Sequence, residues 1–97
     1  MRWSEQDRAD FAIAMGESFA AAVCPPVPVA DASPQECCEA VRLALGVQVT
    51  PVVLAAVDAT RLDSIAAAFG QWFETDPPSR SQVEAGVAAT LARWPAE

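Results

Sequence analysis

The sequence predicts an all-α protein, a compact bundle of about five short helices joined by Pro-rich loops. Three observations carry that prediction. Apolar residues recur at three- and four-residue spacing over long stretches, Ser or Thr beside Pro or an acidic residue marks several helix starts, and Pro-Pro pairs or an isolated Gly mark the stops. Twenty-one alanines among 97 residues agree with it, since Ala is the strongest helix former. The length suits one domain over residues 1–97.

Ser4, with Asp7 three residues on, makes a capping box with Asp in place of the usual Glu and opens the first helix, predicted over 5–23. Phe11, Met15, Phe19, Ala22 and Val23 form its inner stripe, and Cys24-Pro25-Pro26 ends it. The stretch 25–32 holds three prolines and is expected to be extended, with Val27 and Val29 laid against the bundle. Ser33-Pro34-Gln35-Glu36 is the clearest start in the chain: an N-cap Ser, Pro at the first helical position and Glu at the third. That helix is predicted over 34–45, with Cys37, Cys38, Val41, Ala44 and Leu45 inward and Gly46 as its stop.

After the connector Val47-Gln48-Val49, Thr50-Pro51 repeats the cap-then-Pro start of a third helix, 51–59, with Leu54 and Val57 inward. Thr60-Arg61-Leu62-Asp63 reads as a further cap, opening a fourth helix over 61–74. Its Leu62, Ile65, Phe69, Trp72 and Phe73 share one face and are expected to be buried together. No Gly or Pro separates the third helix from the fourth, so one bent helix over 51–74 is a rival. Asp76-Pro77-Pro78 breaks the chain again. Ser79, or Ser81 with Glu84 as its box, then caps a fifth helix over 80–94 with Val83, Val87, Leu91 and Trp94 inward, closed by Pro95.

Composition argues against most enzymatic chemistry. The chain has no His, Lys, Tyr or Asn, so the commonest proton-transfer and Schiff-base groups are missing. Ser and Thr have neither a His nor a Lys base, and six of the hydroxyl residues already stand at predicted caps. The carboxylate pairs Glu36/Glu39 and Asp10/Glu17 fall on outward faces, where solvated acids keep ordinary acidity. No Gly-rich phosphate loop exists; Gly16, Gly46, Gly70 and Gly86 are isolated. Gly70 and Gly86 inside helices are better explained by close packing than by a ligand. The chain is expected to have no catalytic residue, no cofactor and no metal.

Cys24, Cys37 and Cys38 fit no common zinc spacing, and adjacent helical residues diverge by about 100°. Buried thiols are the expectation, with a disulfide from Cys24 to Cys37 or Cys38 as the alternative. Net charge is −7, and it is spread: residues 1–49 carry seven acids against three Arg, and residues 50–97 six acids against three Arg. Direct binding to nucleic acid or an anionic membrane surface is disfavoured, and a helix-turn-helix lacks the basic residues it needs. Mimicry of nucleic acid by carboxylates has no dense acidic stripe to support it. No window spans a membrane and the N-terminus lacks a signal-peptide pattern, so a cytoplasmic location is expected. The absence of Lys, Asn and Tyr also fits a GC-rich bacterial or phage genome.

Two exposed apolar residues remain. Leu43 falls among Glu36, Glu39 and Arg42 on the second helix, and Ile13 lies between Asp10 and Glu17 on the first. Together these seven residues make the expected partner-binding surface. The expectation is therefore a non-enzymatic protein-binding module whose partner is another protein with a basic surface. Within that class it leans toward a phage or mobile-element accessory protein that inhibits a host nucleic-acid-handling complex, small anti-CRISPR-like proteins being one kind. The alternatives are a structural connector or minor subunit of a larger assembly, and a small regulatory subunit of an enzyme. The oligomeric state is left open.

Overall fold

The structure is a computed structural model and describes residues 4–23 and 33–94. It contains α1 (Glu5–Val23), α2 (Pro34–Leu45), α3 (Pro51–Ala55), α4 (Ala59–Trp72) and α5 (Arg80–Arg93), and no strand among the described residues. The all-α prediction holds. The proposed Cys24 disulfide, the extended stretch 25–32 and the Pro95 stop lie outside the described residues.

The caps explain why these segments are helical. Ser4 and Asp7 form a reciprocal box: the Asp7 amide donates to Ser4 Oγ at 3.0 Å and the Ser4 amide to Asp7 Oδ2 at 3.0 Å. Those bonds hold the Asp7 carboxyl below its usual acidity range. Ser33 caps α2 through the Glu36 amide, Pro34 occupies its first turn, and Gly46 ends it in the left-handed region with φ 69°. Thr50 caps α3 through the Val53 amide at 3.2 Å. At α5 the first of the two predicted caps is the one used: Ser79 and Gln82 form the box, not Ser81 and Glu84.

Four predicted boundaries are corrected, the smallest being the end of α5 at Arg93 in place of 94. The third helix ends at Ala55, four residues short of the prediction of 51–59, and α4 begins at Ala59 and ends at Trp72 in place of 61–74. The N-cap of α4 is Asp58, whose carboxylate accepts the Arg61 amide at 2.9 Å; Thr60 is already inside the helix. An acidic acceptor at a helix N-terminus also meets the positive end of the dipole, an advantage Thr lacks. Asp58 takes extended backbone angles, so the single bent helix over 51–74 does not form.

The four longer helices close a ring. α1 packs on α2 and α5, and α4 also packs on α2 and α5, which leaves α1 diagonal to α4; α3 lies against α5. Phe11, Met15, Phe19, Val23, Cys37, Val41, Leu54, Ile65, Phe69 and Val83 are all at most 2% exposed and fill the centre. Each large side chain so buried contributes roughly 1.5–3 kcal/mol. Phe19 stacks on Phe69 across the ring at 5.9 Å, and Phe69 on Phe73 at 6.0 Å. Ala40, unremarked in the periodic pattern, is fully buried, whereas Cys38, Ala44 and Leu45 are only half-buried.

Two glycines permit this packing. A Cβ on Gly16 would stand 2.1 Å from the Pro34 carbonyl oxygen, and one on Gly86 would stand 2.6 Å from the Phe19 ring. The expectation of close packing at Gly86 is met. At Gly70 the neighbour is the loop after α4 and not another helix: Thr75 and Pro77 lie 3.2 and 3.3 Å from where a Cβ would be.

Trp72 is the principal departure from the predicted core. It is 40% exposed, while Leu62 and Phe69 on the same helix are buried. The reason is positional. Trp72 is the last residue of α4 and meets α2 near its first turn, so the covering layer stops beside the ring.

Candidate functional site

α2 and α4 run antiparallel, a register fixed where the Trp72 indole N–H donates to the Glu36 carboxylate. Between them lies an open groove of about 470 Å³. α2 supplies Ala40, Leu43 and Ala44 to it. α4 supplies Ser64, Ala67, Ala68, Gln71 and Trp72. Leu43, 55% exposed, and Trp72 are the large apolar side chains of this lining, and Ala40, Ala44, Ala67 and Ala68 supply most of the rest.

The seven residues predicted for the partner surface divide into two sets. Leu43 lines the groove, so it stands on the flank of α2 that faces α4 and not directly behind the buried stripe. Glu36 holds Trp72 at one end of the groove. Glu39 accepts a 2.5 Å bond from Arg42, which raises the already high pKa of that guanidinium. Ile13 is 57% exposed on α1, a helix that contributes nothing to the groove lining. Asp10 accepts from the Gln6 amide group at 2.9 Å, and Glu17 pairs with Arg93 of α5 at 3.2 Å. The structure therefore joins Leu43 and Glu36 in one feature and places Ile13, Asp10 and Glu17 elsewhere.

Trp72, Gln71 and the Ala67-Ala68 pair were not foreseen as part of a surface. Trp72 has the periodicity of the core, and alanines read as helix formers. A signal for Trp72 was nevertheless present: a buried indole needs an acceptor for its N–H, and the stripe that would bury it offers only hydrocarbon.

The titratable groups are those of an exposed surface. A bidentate pair from Arg80 to Asp63, at 2.9 and 2.6 Å, ties the start of α5 to α4 and lowers the Asp63 pKa. Burial raises the Cys38 thiol above its ordinary value, with Glu39 adding to the effect. Among the described residues, no group of three or more Cys, Asp or Glu is placed to hold a metal ion, and no helix is long and apolar enough to cross a membrane. No protein-family model matches the chain, and neither does any curated protein or any solved structure.

Proposed function

We propose that this chain is a non-enzymatic, cytoplasmic protein-binding module that docks on its partner through the groove between α2 and α4. The observation that carries the proposal is the pair Leu43 and Trp72, two large apolar side chains left open on α2 and α4 in one groove whose other lining is mostly alanine. Single exposed apolar residues are ordinary, but an aromatic and an aliphatic anchor flanking one concavity resemble the centre of a protein interface. The charged rim of Glu36, Glu39 and Arg42 would supply orientation more than affinity. Within this class, the acidity of the chain suits an accessory protein, of phage or mobile-element origin, that occupies a basic surface on a host nucleic-acid-handling complex.

Affinity capture from the native host, repeated with Leu43→Glu and Trp72→Ala, tests the proposal. The wild-type chain should retain a partner that both variants lose, while both variants remain folded, Trp72→Ala at a cost of about 1 kcal/mol. Ile13→Glu should retain it, because Ile13 lies outside the groove. Equal capture by all four proteins would overturn the assignment of the groove. Salt-insensitive, obligate and stoichiometric capture would move the reading to a structural subunit.

A further inference from the structure

The groove has a carboxylate at its Trp72 end that its largely apolar lining does not explain. At the Trp72 end, Glu36 stands on α2, and the exposed Glu74 and Asp76 follow Trp72 within four residues. Arg42, the cation of α2, is already held by Glu39. Arg61 begins the other end of α4, eleven residues from Trp72, or about 16 Å along a helix. The open indole thus has one carboxylate, that of Glu36, fixed at its N–H edge. A carboxylate beside an accessible indole face matches a guanidinium, which stacks on the ring with its plane and meets the carboxylate with its N–H fork. The carboxylate oxygens of Glu36 have lone pairs beyond the one used by Trp72.

Small residues along the floor (Ala40, Ala44, Ala67, Ala68) let a backbone approach closely, as a helix lying in a groove requires. A second copy of this chain is a poor occupant: it brings the same −7 charge, and three of its five described arginines, Arg42, Arg80 and Arg93, are each engaged by a carboxylate of their own chain. On these grounds, and resting on the reading that the groove is a docking surface, we infer that its occupant is an amphipathic helix of a different protein. That helix places an apolar side chain between Leu43 and Trp72 and an arginine against Glu36 and the face of Trp72.

The test is a nuclear magnetic resonance titration of the isotope-labelled full chain with a pair of alanine-based helical peptides. Both carry a leucine stripe; one is flanked by Arg and the other by Glu. The Arg peptide should shift the Trp72 indole resonance and the amides of Leu43, Ala67 and Ala68, and should bind about tenfold more tightly than the Glu peptide at low salt. Added salt should narrow that difference. Glu36→Gln, which still offers an acceptor to Trp72, should weaken the Arg peptide and should not weaken the Glu peptide, so that the difference between them narrows. If both peptides shift the groove equally and Glu36→Gln changes nothing, the arginine inference falls while the docking surface stands. If neither peptide shifts the groove, both fall. A wild-type dimer in sedimentation, with Trp72 shielded at its interface, would make a second copy the occupant and overturn the inference.

Discussion

Phe19 of α1 lies against Gly86 of α5, so close that a methyl group on Gly86 would sit 2.6 Å from the ring. Helix propensity alone favours Ala over Gly by about 1 kcal/mol. The contact reverses that preference, because overpacking a filled core costs about 1–3 kcal/mol. Gly86→Ala should therefore lower the melting temperature followed by circular dichroism. Gly16→Ala should lower it further, since its clash is with the Pro34 backbone, which yields less readily than a ring. A rise in stability for either variant would show that α1 shifts freely against its neighbours.

Removing the acceptor that starts α4 separates the two rival caps. Asp58→Ala should cost about 1 kcal/mol in urea denaturation, the usual worth of an N-cap. Thr60→Ala should change stability little, because Thr60 is exposed and already helical. The opposite order would restore Thr60 as the start of the helix.

Phe69 and Trp72, three residues apart on one helix, should behave as different kinds of residue. Phe69→Ala empties the centre of the ring and should cost about 3–5 kcal/mol, enough to unfold a domain of marginal stability. Trp72→Ala removes a half-exposed ring and one bond to an exposed carboxylate, and should cost about 1 kcal/mol. Chemical denaturation of the two variants side by side makes the comparison. Equal losses would place Trp72 in the core.

Acid should weaken the fold through Asp63 and Asp7. Their carboxyls are held below the ordinary Asp value of 3.8, Asp63 by the Arg80 hydrogen bonds and Asp7 by the Ser4 cap. A carboxyl lowered in the folded state adds stability above its unfolded pKa and loses it as pH falls through the folded one. Asp63→Asn should therefore show a smaller drop in urea midpoint than wild type between neutral pH and about pH 3. An identical drop would show that the Arg80 pair does not contribute.

Different parts of the structure were legible to different degrees, and the differences have physical causes. α2 could be placed to the residue because Ser33, Pro34, Glu36 and Gly46 each act locally, through a hydroxyl, a fixed φ, a first-turn charge and a left-handed stop. The boundary between α3 and α4 was less legible because Asp58 and Thr60 are both competent caps, and residue type alone ranks them closely. Leu43 was recognisable from the charges around it. Trp72 was not legible from periodicity, since its exposure depends on where α2 begins in space, and only the indole's need for an acceptor pointed outward. The groove floor was invisible for a related reason: alanine looks the same in a sequence whether it lines a cleft, faces solvent or sits in a core.

The ring places the first and last helices against each other, α1 beside α5, and this most extensive of its helix pairings joins the two segments farthest apart in the chain. A chain emerging from the ribosome can make α1 and α2 early, but Phe19 has no Gly86 to lie on, and Phe11 no Trp94, until α5 has been synthesised. Such non-local closure slows folding and leaves apolar surface waiting for its cover. Closure of the core thus waits for α5, and a product truncated before α5 would show proteases and chaperones the surface that the finished protein hides.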